Sequence, residues 1–500
     1  MDSLRLITNR KSFLPTISKI AWAFFLVSLP VTSFPFFPSG IGGDTLVRPL
    51  AVYPLLLLVV LVTLPRLAKR PLPSTFLPLL AFILVCLAST SMAVLQGIEP
   101  TLGVSLAPRA LRTLVTLAIG IAIYFTVVLW PESIEDLRFS LRWLYAGFGL
   151  ALFWGTLQAV YVIRFIPAWF DLLSRAQEYI SYQTLFTTRI SGLTYEPNWF
   201  AEQISFLLLP WLLGAVLSGY SVFRWRWHWL TVEWLLLAWA LFVLPFTYSR
   251  AGLLIMLVVI FFGVVFFRQR RKVVLTDRTK VIKTIGVRLI TGTSVVVILA
   301  GFIYFAGANN PFFARLWEYW QQQPYTSFSR QLKGYVEYMG FGPRFFYLET
   351  AYRIYEDYPV LGIGLGNYAF YFEEYLPIRS LATMPEVLRL LVPEPGRDRL
   401  ITTKNFPVRL LAETGLLGTA TFAAFVIAVL GCSLYLQFSP GIDSRYWSTA
   451  GFLGLLAFTL VAFSFDSFAI PNMWVVFGLI TAAAHVQRKN SHQPDQVRVY

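Results

Sequence analysis

The chain has 500 residues, 57% hydrophobic and 13% charged, with a formal net charge of +15. A soluble domain carries roughly 25% charged residues, so the composition excludes a disordered chain, a disulfide scaffold and a cytosolic enzyme. It predicts an all-α polytopic membrane protein, in which the placement of Lys and Arg tells more than their sum.

Crossing ~30 Å of hydrocarbon takes about 20 mainly apolar residues. Stretches of that kind recur at 18–37, 47–65, 75–97, 110–130, 141–164, 197–217, 230–247, 250–267, 285–306, 407–432, 446–466 and 470–486. They predict about twelve transmembrane helices. The stretches 230–247 and 250–267 meet at Tyr248-Ser249, which reads as a tight turn between two helices or as one interrupted element. The first stretch follows a basic segment, as a signal peptide would. The bulky Phe34-Pro35-Phe36-Phe37-Pro38 is no small-residue cleavage site, so it reads as a retained span.

With the N-terminus placed in the cytoplasm, one side receives Arg5, Arg10, Lys11, Lys19, Arg66, Lys69, Arg70, Arg224 and Arg226. It also receives the run from Arg268 to Lys283, then Arg488 and Lys489. Short connections on the other side carry far fewer. The positive-inside rule then predicts an even number of spans with both termini cytoplasmic. The 268–283 run has no interleaved aromatics and lies between spans, so topology explains it better than nucleic-acid binding. Four parts follow: an N-terminal bundle, 1–306; a long extracytoplasmic loop with interfacial helices, 307–405; C-terminal transmembrane helices, 406–488; and a disordered cytoplasmic tail, 489–500.

Two extracytoplasmic segments stand out by length, Arg164–Glu196 and 307–405. Long loops between spans are usually functional. The second is rich in aromatics, among them Phe312, Phe313, Trp317, Tyr319, Trp320 and Tyr325, which predicts interfacial helices covering a site open to lipid and solvent. Cys86 and Cys432 lie in apolar runs and read as small core residues. His228 and His485 fall at cytoplasmic ends of spans and His492 in the tail, which leaves no histidine for an extracytoplasmic site. No Asp-x-Asp or His-x-x-Glu-His pattern occurs, so no metal or other cofactor is expected.

Charges at a membrane edge are costly and mark candidate sites. Arg189 precedes Glu196-Pro197-Asn198, where Pro197 opens a helix that would turn Glu202 into the bundle. Arg250 stands in Tyr248-Ser249-Arg250-Ala251-Gly252, between two apolar runs. Arg344 and Arg353 lie in a helical segment stopped by Pro359. Gly362, Gly364 and Gly366 follow; their amides could approach a phosphate, or the loop could pack closely on a helix. Lys404 and Asn405 precede a span that contains Glu413, which should face protein or water. Arginine forks bind phosphate oxygens bidentately and stay charged. They suit a lipid-linked pyrophosphate, which is anionic and held at the membrane edge, and they stabilise charge on a departing pyrophosphate without a metal.

Four blocks in this order resemble the O-antigen ligase and polymerase family of the bacterial envelope. They are Arg189-Ile190-Ser191-Gly192 with Glu196-Pro197-Asn198; Ser249-Arg250-Ala251-Gly252; Arg344 through Gly362-Ile363-Gly364-Leu365-Gly366-Asn367-Tyr368; and Asn405 with Glu413-Thr414-Gly415-Leu416-Leu417-Gly418. The resemblance implies a GT-C-like integral-membrane glycosyltransferase of the bacterial inner membrane, independent of metal. It would move or polymerise a glycan from a polyprenyl-pyrophosphate donor onto a sugar hydroxyl of a glycan or lipid acceptor, on the extracytoplasmic face, in O-antigen or exopolysaccharide biosynthesis. Arg189, Arg250 and Arg344 would hold the donor phosphates. Asn198, Arg353, Gly362, Gly364, Gly366, Asn405 and Glu413 would contact substrate. One position departs: family ligases usually carry a histidine before the matched asparagine, and here it is Lys404. A protonated lysine cannot take a proton, and would be a base only with its pKa pulled down. Otherwise it adds a cation, and Glu196 or Glu413 supplies the basicity. The exchange bears on the ligase assignment more than on the transfer chemistry, and leaves room for an inactive member. The reading from another class is a transporter or channel for a small anion such as bicarbonate, with the same arginines along its path. Against it, no matched pair of interrupted spans occurs in two halves.

Overall fold

The computed structural model describes residues 2–37, 47–267, 278–308, 310–322, 327–339, 342–377, 387, 391 and 400–491. The expectations for Arg268 to Lys272, Tyr325, His492 and the tail beyond Ser491 lie outside them. Each of the twelve apolar stretches falls on one helix: α1 Asp2–Ser28, α2 Val52–Leu67, α3 Phe76–Leu95, α4 Leu106–Leu129, α5 Ile134–Ile163, α7 Pro197–Ser218, α8 Val232–Thr247, α9 Arg250–Phe267, α10 Arg278–Gly307, α15 Phe406–Phe438, α16 Ile442–Val461 and α17 Asn472–Ser491. By length and composition, seven of these are long and apolar enough to cross a membrane: α3, α4, α5, α7, α9, α10 and α15. Helices α16 and α17 are more polar. Both are buried on almost every side, and a helix covered by protein need not match lipid.

The ends of two expected stretches are set by proline. The first was expected over 18–37, but α1 stops at Ser28, just before Leu29-Pro30. The second was expected from 47, but α2 starts after Pro49. The residue before a proline is pushed toward extended geometry, and Leu29 and Arg48 both lie outside the helices. The 230–267 region is two helices. Tyr248 takes a left-handed φ of 47°, and Ser249 caps α9 by accepting the Gly252 N–H at 3.4 Å. The polar end of α17 runs through Lys489 to Ser491 as helix, where tail had been expected.

Lipid tails are as apolar as leucine, so packing and interhelical hydrogen bonds hold such a bundle. α1 packs along α5, α3 on α15, α4 on α17, and α7 on α16. Trp22 of α1 donates to Ser140 of α5 at 2.9 Å, and Thr63 of α2 pairs with Thr126 of α4 at 2.7 Å. Each such bond contributes about 0.6 kcal/mol in a membrane. At one end of the bundle Glu132 pairs with Arg66 and Arg70, and Asp443 with Arg138.

The long connections gather at the other end. One carries the short helix α6, Pro167–Gln177. The loop after α10 carries α11 Pro311–Gln322, α12 Phe328–Tyr338, α13 Gly342–Asp357 and α14 Tyr368–Tyr375. α13, α14 and the glycine-rich turn between them share a small core of their own with Ala412 of α15, built on Tyr347, Ile354, Tyr368 and Phe372. Beneath that core α15 breaks at Gly415, whose φ of 62° and ψ of −165° are not helical. The freed N–H groups of Leu416 and Leu417 donate to the carbonyls of Pro359 and Val360 at 2.8 and 3.2 Å. Gly362 seals the joint: a Cβ there would sit 2.5 Å from the Glu413 carbonyl carbon.

Candidate functional site

The Arg189 segment is fixed from three sides. Buried Gln158 of α5 accepts the N–H groups of Ser191 and Gly192, both at 2.9 Å. Ile190 N–H donates to Phe246 O at 3.1 Å, at the end of α8. Asn310, just before α11, donates its side-chain amide to Thr188 O at 2.9 Å. Thus held, Arg189 donates from Nε to Thr247 O and from Nη2 to Asn198 Oδ1, both at 2.8 Å. Arg250 opens α9 directly after the cap. It donates from Nη1 to Met339 O at 3.3 Å, and its buried Nε has no hydrogen-bond partner among the described residues.

These two arginines meet over one ring. The Arg189 guanidinium lies 4.3 Å and that of Arg250 5.3 Å from the centroid of Phe312, in α11. A cation over an aromatic face gains ~0.5–2 kcal/mol, more when dry. Arg344, in the first turn of α13, lies within electrostatic range of Arg250. Burial pushes the Arg189 pKa down to about 10, with Glu196 opposing the shift and Arg250 adding to it, so Arg189 stays cationic at neutral pH.

Arg344 opens onto a cavity of about 200 Å³, lined also by Phe345, Leu348, Thr403, Lys404, Asn405 and Phe463. Lys404 is exposed, with a strained left-handed φ of 51°. Its backbone N–H donates to Asp466 Oδ2 at 2.6 Å, and its Nζ lies 5.7 Å from the Tyr347 ring centroid. Asn405 caps α15 by accepting the Val408 N–H at 3.1 Å. Glu196 stands half-buried just before α7 beside Arg189, and Asn198 is exposed. Glu202 is buried and accepts from Ser464 at 2.9 Å, within range of Arg344 and Asp466.

The structure therefore gathers Arg189, Arg250, Arg344, Glu196, Asn198, Lys404 and Asn405 at one end of the bundle. It sets the others differently. Arg353 is on the exposed face of α13, paired with Glu349 at 3.0 Å. The glycine amides are spent inside the chain: Gly362 N–H on Tyr358 O at 3.1 Å, Gly364 N–H on Glu413 O at 2.9 Å, and Gly366 N–H on Glu413 Oε2 at 2.8 Å. The turn does bind an anion, but it is the protein's own carboxylate. Glu413 is further held by Arg409 Nε at 2.9 Å. Close packing on a helix, the other reading of the glycines, describes this turn.

Two contributors escaped the sequence reading. Asp466 sits at the end of an apolar stretch and looked like its terminus. Phe312 was one aromatic in a belt of many.

Residues 235–423 match the O-antigen ligase family model. The resemblance read from the sequence blocks is borne out over this segment. Comparison with curated proteins finds no match. The matched segment runs from α8 into α15 and contains Arg250, Arg344, Arg353, the glycine turn, Lys404, Asn405 and Glu413. Arg189, Glu196, Asn198 and Asp466 lie outside it and reach the same end of the bundle through the fold.

Proposed function

We propose that the protein is a glycosyltransferase of the bacterial inner membrane that moves or polymerises a glycan carried on a polyprenyl pyrophosphate, in O-antigen or exopolysaccharide biosynthesis. The observation that carries this reading is the meeting of Arg189 and Arg250 over Phe312 with Arg344 beside them. Three guanidiniums at a bundle end match a diphosphate held at the extracytoplasmic membrane edge. The Arg250 Nε–H, without a partner among the described residues, supplies a donor for one of its oxygens.

In the reaction the acceptor sugar hydroxyl attacks the anomeric carbon of the donor, and the bond from that carbon to the phosphate oxygen breaks. The polyprenyl pyrophosphate leaves with the bonding pair, and the arginines stabilise that charge without a metal. Glu196 takes the hydroxyl proton. It is preferred over Glu413, which is locked by Arg409 and the turn amides. Lys404 adds a cation at the cavity rim. The glycine turn, Asn405 and Glu413 shape the site rather than touch the phosphates.

The test is the purified protein in liposomes with a synthetic polyprenyl-pyrophosphate oligosaccharide. Lengthened or transferred glycan with release of polyprenyl pyrophosphate is expected. Anion flux through the same liposomes without transfer would favour the channel reading instead. Lys404 gives a second expected result. Lys404→Ala raises the donor concentration for half-maximal rate by roughly tenfold, the worth of a charged hydrogen bond, while Lys404→Arg stays near wild type. A general base at this position would lose activity equally with arginine.

A further inference from the structure

A cavity of about 1130 Å³ lies at the end of the bundle away from the arginines. Five helix ends frame it. Ser74 precedes α3, Glu132 joins α4 to α5, Tyr435 stands near the end of α15, and His485 to Lys489 close α17. The start of α15, at the candidate site, is roughly 45 Å of helix away from Tyr435.

The lining has two characters. Leu72, Ala428, Gly431 and Val486 make an apolar wall. Arg70, Arg488 and Lys489 bring positive charge, and the one carboxylate in the lining among the described residues, Glu132, is shared between Arg70 at 2.7 Å and Arg66 at 2.5 Å. Among the described residues of the lining positive charge is therefore in excess. A free anion needs neither this volume nor an apolar wall, and a neutral lipid needs no cations. An amphiphile with an anionic head satisfies both, and basic pockets between transmembrane helices are where such heads bind.

We propose that this cavity binds the phosphate head of an anionic phospholipid, with Arg70, Arg488 and Lys489 toward the phosphate and the apolar wall along the first part of an acyl chain. The proposal is independent of the transferase reading.

The experiment is native mass spectrometry of the full-length protein equilibrated with phosphatidylglycerol and phosphatidylcholine of identical chains. Wild type should retain one phosphatidylglycerol with about tenfold preference. The double variant Arg488→Gln, Lys489→Gln should lose that preference, since each basic residue near a membrane surface contributes on the order of a fivefold change. Gly431→Leu should lower retention of both lipids: a Cβ there meets no atom within 4 Å, so the added side chain enters the cavity without a clash. Unfolding temperatures near wild type confirm that both variants are folded. Equal retention of the two lipids by wild type, an unchanged preference in the double variant, or unchanged retention by Gly431→Leu overturns the proposal. So does inorganic phosphate alone, or a polyprenyl phosphate at equal concentration, displacing the phosphatidylglycerol, since either would be the better ligand.

Discussion

Arg250→Ala lowers glycan transfer or polymerisation by roughly 10²–10³-fold, the usual loss when one preorganised donor to a developing anion is removed. Arg250 is fixed at the start of α9 by the Ser249 cap, and its Nε is a buried donor without a partner among the described residues. Alanine leaves the cap and the Tyr248 turn untouched, so the protein should still fold. Arg250→Lys recovers little, because an ammonium is a point charge without the Nε–H or the planar fork. Arg353→Ala is the matched control. Its partner Glu349 is a neighbour on the same exposed helix face, a type of pair worth only ~0.3–0.5 kcal/mol, and wild-type transfer is expected. The measurement is glycan chain length in envelope extracts, together with transfer by isolated membranes at equal protein level. A wild-type profile from folded Arg250→Ala protein removes the mechanism.

Glu413→Ala has the largest expected effect on stability, a loss of about 3–5 kcal/mol, as when one partner of a buried ion pair is removed. Arg409 would be left buried without its carboxylate, and the Gly366 N–H would lose its acceptor. The small core beneath α13 and α14 rests on that joint. Glu413→Gln keeps an acceptor for the turn while losing the charge, and should fall between alanine and wild type. Apparent unfolding temperature in detergent and the yield of inserted protein report the order. If Glu413 served only to bind substrate, the alanine variant would melt like wild type and lose transfer alone.

The helices were legible because a span needs a long apolar run and this chain interrupts its runs with charge. The ends of α1 and α2 were less so, since hydropathy does not register that the residues before Pro30 and Pro49 are held out of helical geometry. Arg189 and Arg250 were legible for the same reason as the spans: each is a charge placed where apolar sequence stops. Their convergence on Phe312 was not, because it depends on α11 folding back from a loop more than 60 residues along the chain from Arg250. The glycine turn was read two ways. What decides between them is Glu413, 47 residues beyond Gly366, and no local spacing carries that contact. Asp466 was hidden similarly, since it matters through the Lys404 N–H, which lies 62 residues earlier.

The break at Gly415 has a consequence for anyone recombining this protein with its relatives. The carbonyls of Pro359 and Val360 complete the backbone of a membrane helix, so the long loop is not a removable ornament on a finished scaffold. A chimera that exchanges the loop alone would hand α15 a foreign set of acceptors and leave two of its amides unmatched. Exchange should succeed only when crossover points enclose Gly342 through Gly418 as one heritable block.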